Sequence, residues 1–467
     1  MENRLSELHA DLMRTSIQFN KLNMLFLSQA LIGDNFLGAL ESWHYVNIVK
    51  KLGWENVIKF FLFKLSNLFL KKRENWRFEY LFVNEVNNIP VIDSLNLVYR
   101  EFVSENVGMV FSDMRLRKPN ERTINIFEFT TVGVLWRSLI ESVGFMPTLY
   151  QYREEIRFLS NKYNIKPLFL ILNIFDSIFS VNVVKVFFSK VSVGKIILMT
   201  DVHKLSRIST FLARDLMIPT YVIQHGATVG EEGYMPIIAD KMLVWGESSK
   251  NWFTKRGQSA DKIEIVGSPR MDMVVYGGVD QSCLNQREWK KVLVVMSMVA
   301  FERTFLLTIK DALMRCEIKD VEVIVKLHPG GAVDFSFMPN EVFKQSGLEY
   351  KVLRFENTKM LLKETDIVIV TNSTVGMEAI IENKPIFQFK SNDYFNHRMS
   401  YEDFDCGHLF ETGEQLAKLI SSPDIVYSKL SNYPLFVNYY FGKLDGNSSK
   451  RIKEFIVRHS PGQNFGN

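Results

Sequence analysis

The apolar positions of this chain fall into two regimes. Through residues 1–75 they recur at three- and four-residue spacing with few turn clusters, which predicts mostly helix. From about 78 to 275 the rhythm shortens. Compact β-type runs ("FEYLFVNE", "VGMVFSD", "KIILMTD", "TYVIQHG", "KMLVWGE", "IEIVGSP") alternate with helical stretches, and several end in a polar residue or a glycine. That alternation predicts a parallel sheet with helices on its faces. Gly, Pro, Asp and Ser then punctuate 267–291, which reads as a linker. A second series follows, with five strands expected in "KVLVVMS", "VEVIVKLHP", "YKVLRF", "DIVIVTNS" and "KPIFQF". The pattern predicts an α/β protein of two doubly wound, Rossmann-like domains. The expected boundaries are a helical region at 1–77, one sheet domain at 78–275, a second at 285–440 and a closing helix at 441–467. Ligands of such sheets bind outside the carboxyl ends of the strands, so a cleft lined by strand ends is expected.

Composition adjusts this picture little. The chain has 467 residues, with 47% hydrophobic and 23% charged, an ordinary globular balance. A formal net charge of +4 over that length gives no field suited to nucleic acid. Cys283, Cys316 and Cys406 are far apart and form no CxxC, so neither a zinc site nor a disulfide framework is indicated. A reducing, cytoplasmic setting is expected. The first residues carry acids and no apolar core of signal-peptide type. No uncharged apolar run reaches the roughly 18 residues of a membrane span. Two segments come close, 54–77 and 166–191, each interrupted by charge. They read either as buried helices or as amphipathic surfaces lying on an anionic membrane, the first through Lys59, Lys64, Lys71, Lys72 and Arg73.

Candidate chemistry gathers at three strand ends. In "KLHPGG" an apolar strand runs into Lys326, His328, Pro329, Gly330 and Gly331. The proline stops the ladder, the glycines allow close backbone approach, and the imidazole can donate to a phosphate or a sugar hydroxyl. In "TNSTVGMEA", Thr371, Asn372, Ser373 and Thr374 open a helix. Helix-start amides with hydroxyls beside them suit an anion, and Ser373 and Thr374 serve as caps in any case. Glu378, one turn on, is placed to accept from a ribose. In "YVIQHGATVGEEGY", His225 ends a strand of the first domain and has an intrinsic pKa suited to a general base, with Glu231 and Glu232 as competing bases. Gln224, Gly226, Ser268, Arg270 and Ser297 stand at or beside other strand ends and complete the candidate set. No GxGxxG, P-loop, HExxH or GxSxG is present, so dinucleotide binding by that fingerprint, P-loop chemistry, zinc proteolysis and serine hydrolysis find no support.

Taken in order, "VIQHG", "ADKMLVWGE", "KIEIVGSPRMD", "KLHP", "TNSTVGMEAIIENKP" and "YYFGKLDGNSSKRIKEFI" resemble bacterial GT-B glycosyltransferases that build surface polysaccharides. The nearest likenesses are to polysialyltransferases, Kdo transferases and CDP-glycerol glycerophosphotransferases, over about 200–456. The resemblance implies that His328, Pro329, Ser373 and Thr374 contact the donor phosphate and that Glu378 holds the ribose. It also implies that His225, or an acid of "EEG" as in polysialyltransferases, takes the acceptor proton. The expected activity is transfer of a sugar from a nucleotide donor, leaning to CMP-nonulosonate or CMP-Kdo, onto an oligosaccharide or lipid-linked glycan. No cofactor and no essential metal are expected. The chain would be cytoplasmic, peripheral on the membrane if the amphipathic reading holds, and could join a polysaccharide assembly complex. The alternatives are a CDP-glycerol or CDP-ribitol glycerophosphotransferase, a UDP-sugar 2-epimerase-like enzyme, and a non-catalytic assembly protein.

Overall fold

The computed structural model describes residues 11, 18–19, 22–23, 62, 64–70, 76–85, 89–112, 122–163, 166–228, 231, 234–272, 276, 289–296, 302–316, 321–327, 336–371, 373–390 and 401–459. Two compact units divide the chain. Unit 1 comprises Met1–Trp245, Ser249–Asp272 and Gly446–Asn467; unit 2 comprises Gly246–Ser248 and Met273–Asp445.

Most of 1–75 lies outside the described residues. Within it, β1 (Gln18–Phe19) and β2 (Leu22–Asn23) pair antiparallel, so local strand pairing overrides the helical spacing there.

Unit 1 is built on a seven-stranded, all-parallel sheet. Its strands are β3 (Trp76–Asn84), β4 (Val107–Phe111), β5 (Thr123–Asn125), β6 (Val191–Leu198), β7 (Thr220–Ile223), β8 (Lys241–Val244) and β9 (Ile263–Ile265). They lie in the order β5-β4-β3-β6-β7-β8-β9. Successive side chains alternate between two cores, as the two-residue period of a strand requires. Tyr80, Phe82, Ile197, Tyr221, Ile223 and Leu243 face one side, where they meet Leu95, Ile452 and Ile456. Leu81, Val83, Ile196, Leu198, Val222 and Val244 face the other. There the helix Pro167–Lys190 covers them with Leu170, Ile174, Ile178 and Val184. This helix is long and apolar enough to span a membrane by length and composition. Most of its described apolar side chains nonetheless lie in or against the core here, and Asp176 within it is ion-paired to Lys64 and Lys204. Burial pushes the Asp176 carboxyl up, and the two ammonium groups outweigh that and hold it well below the usual range. The buried-helix reading therefore holds for 166–191. Lys64, which the amphipathic reading places at a lipid surface, is buried in this ion pair.

Unit 2 carries a six-stranded parallel sheet where five strands were expected. Its strands are β10 (Lys291–Val295), β11 (Glu322–Lys326), β12 (Glu349–Leu353), β13 (Ile367–Val370), β14 (Ile386–Phe389) and β15 (His408–Phe410). The order β12-β11-β10-β13-β14-β15 is the Rossmann order 3-2-1-4-5-6. Central β11, β13 and β14 are buried along their whole length, as strands covered on both faces must be. In the two large sheets, the strands missed by pattern, β5 and β15, are three residues long and lie at sheet edges. A three-residue run is too short to establish a period.

Candidate functional site

Strand order defines where each sheet can hold a ligand. The chain leaves β10 to one side and β13 to the other, which opens a crevice at their carboxyl ends. The helix Thr374–Ile381 starts there. Its N-cap is Ser373, whose Oγ accepts from Val375 N at 3.2 Å, and its first turn holds no acidic residue. Ser373 and Thr374 are half-buried. The turn before them is fixed from below. Gln388 on β14 is fully buried and donates through Nε2 to the Thr371 carbonyl at 3.0 Å. Tyr401, also buried, donates its hydroxyl to the Ser373 carbonyl at 3.2 Å. Gly376 is a glycine for a steric reason: a Cβ there would stand on the Tyr401 hydroxyl.

Lys326 ends β11 and is 5% exposed. Its Nζ donates to the Arg354 carbonyl at 2.7 Å, which ties the ends of β11 and β12 together. Burial pushes this ammonium's pKa down, while the carboxylates of Glu356 and Glu378 oppose the shift. Lys326 and Glu378 are thus electrostatic neighbours although 52 positions separate them in sequence. The lysine holds this half-site together with its hydrogen bonds; phosphate contact, expected of it, would compete with them. His328, Pro329, Gly330, Asn372 and Ser297 lie outside the described residues.

In unit 1 the equivalent crevice lies between β3 and β6. Here the chain fills it itself. Glu85, the residue after β3, accepts from Leu205 N at 2.9 Å and Ser206 N at 2.7 Å, the start of the helix Lys204–Asp215. Beneath it, Asp201 accepts from Ile238 N and Ala239 N at 2.7 and 3.2 Å. Arg207, fully buried, donates Nε to the Asp201 carbonyl at 2.9 Å. Burial lowers the arginine pKa to about 9, and the charges of Asp201 and Glu85 limit the fall. Burial likewise raises the Asp201 carboxyl against its two amide donors and Arg207. Sequence reasoning missed this set. The signal available was that "FEYLFVNE" and "KIILMTD" both end in acids.

His225 sits one strand further along, at the end of β7. Gln224 before it is locked: Nε2 donates to the Gly226 carbonyl at 2.7 Å and Oε1 accepts from Trp245 N at 2.8 Å. Gln224 therefore shapes the turn and is not open to a ligand, contrary to expectation. His225 Nδ1 lies 3.1 Å from the Met199 carbonyl. A carbonyl can only accept, so Nδ1 carries the proton and Nε2 presents its lone pair. The ring stacks on Tyr234, with centroids 4.7 Å apart and planes 15° apart. Burial lowers the imidazole pKa to about 4, the charge of His203 adds to this, and the Met199 bond opposes it. The group is neutral at pH 7, as a base must be. Its basicity is lower than its intrinsic value suggested, because the pocket desolvates the cation.

Glu231 is engaged elsewhere. Its Oε1 accepts from Arg256 Nε at 3.0 Å, and that guanidinium lies 4.0 Å from the centre of the Trp252 ring. The ion pair competes with a role as proton acceptor. Glu232 lies outside the described residues. Ser268 is fully buried after β9, next to Gly267, which at φ +90° packs against Ser448 and Arg451 of the helix Ser448–Arg458. Arg270 lies in the 3-10 turn Pro269–Met271 and is half-buried. Among the described residues, no group of three His, Cys, Asp or Glu is placed to hold a metal ion.

Two Rossmann-like parallel sheets with helices define a GT-B-like fold. A putative UDP-N-acetylglucosamine 2-epimerase from Listeria monocytogenes has the same architecture, with TM-score 0.50 and 11% identity over 82% of this chain and 96% of that one. The 2-epimerase from Methanocaldococcus jannaschii aligns with TM-score 0.48 and 15% identity over 81% and 99%. At these identities the likeness concerns fold alone. In sequence, residues 237–458 match the family of CDP-glycerol:poly(glycerophosphate) glycerophosphotransferases. A teichoic acid poly(ribitol-phosphate) polymerase from Bacillus spizizenii is 31% identical over 156 residues. That alignment covers 32% of this chain and 23% of the polymerase, so the chain spans under a quarter of the curated relative it matches. These matches favour the alditol-phosphate alternative over the CMP-nonulosonate or CMP-Kdo reading, and a phosphotransferase over a glycosyltransferase in the strict sense.

Proposed function

We propose that the protein transfers an alditol phosphate from a CDP-alditol, CDP-glycerol or CDP-ribitol, to a hydroxyl of a lipid-linked surface polymer. The observation that carries this reading is the match of 237–458 to the glycerophosphotransferase family. The acceptor hydroxyl attacks the phosphorus that bears the alditol. Its O–P bond forms, the bridging P–O bond to CMP breaks, and CMP leaves with the electron pair. The hydroxyl proton passes to Nε2 of His225, whose tautomer is set by Met199. The leaving phosphate gains charge, and the start of Thr374–Ile381 with the Ser373 and Thr374 hydroxyls supplies donors for it. In this reading His328 and Pro329 complete the phosphate site and Glu378 holds the ribose. Glu231 and Glu232 stand as competing bases. The reaction needs no cofactor, and a lipid-linked acceptor brings the enzyme to a membrane surface.

The test is a donor screen with product mass spectrometry, using CDP-glycerol, CDP-ribitol, CMP-sialic acid, CMP-Kdo and UDP-N-acetylglucosamine. Consumption of a CDP-alditol with release of CMP supports the proposal. Turnover of a CMP-sugar or UDP-sugar, with the CDP-alditols untouched, overturns it.

A further inference from the structure

A general base must aim its lone pair in one direction, and a histidine side chain turns about two bonds. One contact, from Nδ1 to the Met199 carbonyl at 3.1 Å, pins one corner of the His225 ring. That bond alone leaves the ring free to tilt about it. Tyr234 removes the tilt. Nine positions further along the chain, it lays its ring on the imidazole with centroids 4.7 Å apart and planes 15° apart. Rings packed face to face at that distance cannot tilt independently.

Tyr234 is itself firmly held. It is buried and belongs to the core of unit 1. Trp252 and Phe253 on the helix Glu247–Thr254 meet its ring nearly edge-on, with centroids 6.1 and 6.0 Å away and planes at 70° and 78°. Its backbone N–H donates to the Glu231 carbonyl at 3.0 Å, which closes a turn. The Glu231 side chain is in turn paired with Arg256, whose guanidinium rests on Trp252. Gly226, next to His225, closes a further side: a Cβ there would stand 3.2 Å from the Tyr234 hydroxyl. Burial pushes the Tyr234 phenol up, so it stays uncharged through the working pH range and His225 is the member of the stack that titrates. The charge facing His225 is that of His203, just before the helix Lys204–Asp215; it adds to the lowering by burial, and the Met199 carbonyl opposes both. The tyrosine ring covers one face of the imidazole and so contributes to that desolvation.

We propose that Tyr234 is a positioning residue: its ring fixes the direction of His225 Nε2, shields one face of the imidazole from water, and acts on turnover through His225. This deepens the proposed function and rests on it for the task of His225, but the state of the imidazole is read without donor, acceptor or turnover. The full chain is prepared with nitrogen-labelled histidine rings and titrated by NMR, the His225 signals being identified by their loss in His225→Gln. In wild type the ring should stay neutral, with its proton on Nδ1, until the pH falls toward about 4. In Tyr234→Leu the titration should move up toward the unperturbed value of about 6.5 and the two tautomers should mix. Its kcat should fall about tenfold or more with donor KM unchanged, and the acid limb of kcat/KM should move up with the titration. Tyr234→Phe keeps the stacked ring and should match wild type in each readout. Should Tyr234→Leu fail to fold, Gly226→Ala carries the test, because its methyl presses on the Tyr234 hydroxyl from outside the stack. It should shift the His225 titration and lower kcat, and Tyr234→Phe in the same chain, which removes that hydroxyl, should restore both. A merely structural Tyr234 would lower the melting temperature and leave the His225 titration and tautomer as in wild type, and that result overturns the proposal. So does a Tyr234→Phe protein as impaired as Tyr234→Leu, which would give the task to the hydroxyl, or a Gly226→Ala defect that Tyr234→Phe does not relieve. The expected histidine signals with every CDP-alditol left untouched would remove the proposed reaction and leave the hold on His225 standing.

Discussion

The first six strands of the unit 1 sheet and the six strands of unit 2 run in the same order, 3-2-1-4-5-6, so both carry the same crevice, yet they treat it in opposite ways. In unit 1 the helix start at the crevice is occupied by the chain's own carboxylate, Glu85. In unit 2 the matching helix start is capped by the neutral hydroxyl of Ser373 and has no acid in its first turn. A helix N-terminus carries about half a unit of positive charge and favours an anion. Unit 1 has satisfied that preference internally, and its candidate base sits one strand over, at His225. Unit 2 leaves that preference unmet by a carboxylate of its own first turn, and the proposed function assigns it to the donor phosphate. The same topology thus gives a crevice closed by Glu85 in one half and, under the proposed function, a phosphate crevice in the other.

That contrast can be broken in order of effect. His225→Ala should lower turnover by about 10²–10⁴ while leaving donor affinity unchanged by calorimetry. Its pH profile supplies a second check. The base works neutral, so kcat/KM should hold from pH 8 to about 5 and fall as pH drops through about 4. Stability follows the same group. Its folded pKa lies below the unfolded 6.5, so the fold loses stability as pH falls from 6.5 toward 4, and His225→Gln should flatten that part of the acid denaturation curve.

Next in size, Glu85→Ala strips two amides of their acceptor and leaves buried Arg207 with one carboxylate fewer. A loss of about 3 kcal/mol is expected in urea denaturation. Donor binding by the remaining folded protein should be unaffected if unit 1's crevice is structural. Gly376→Ala should cost about 2 kcal/mol by driving the new methyl into Tyr401, and Tyr401→Phe in the same chain should restore part of it. A Gly376→Ala protein as stable as wild type would mean that Tyr401 does not hold the Ser373 turn. The smallest effect sharpens the comparison most. Ser373→Asp keeps a side-chain cap, so stability should hold or rise slightly. It also puts in unit 2 the charge that Glu85 puts in unit 1, and CDP affinity should fall by about tenfold. Unchanged affinity would show that the helix start of Thr374–Ile381 is not the phosphate site.

Much of the fold was legible because central strands announce themselves. "IVIV" (367–370) is a continuous apolar run and "VIV" (323–325) the apolar centre of another strand, as strands covered on both faces must be. The edge strands β5 and β15 were not legible, since three residues carry no period; β9, equally short, was legible only with the Gly-Ser-Pro turn that closes "IEIVGSP". Of the candidate site, the Ser373–Thr374 helix start and His225 at a strand end could be read from residue type and position. Gln224 and Lys326 were read as ligand-facing because they are polar at strand ends, yet each spends its hydrogen bonds on neighbouring backbone. Nothing local distinguishes a polar group that serves the fold from one that serves a ligand.

The sequence alone therefore determined the class of fold, the central strand positions and the residue types at strand ends, because hydrophobic period and turn chemistry are local. Tertiary structure decided the rest. It set which tautomer His225 holds, since the Met199 carbonyl comes from another strand. It decided that Glu85 closes one crevice, since its amide partners lie 120 and 121 residues away. It also left Val132, Trp136, Leu139, Ile140 and Val143 on the outer side of Val132–Gly144, since Val134 packs into the core and Asn182 on another helix holds Ser138 and Glu141. Each of these depends on a contact between distant parts of the chain, and sequence spacing carries no record of such contacts.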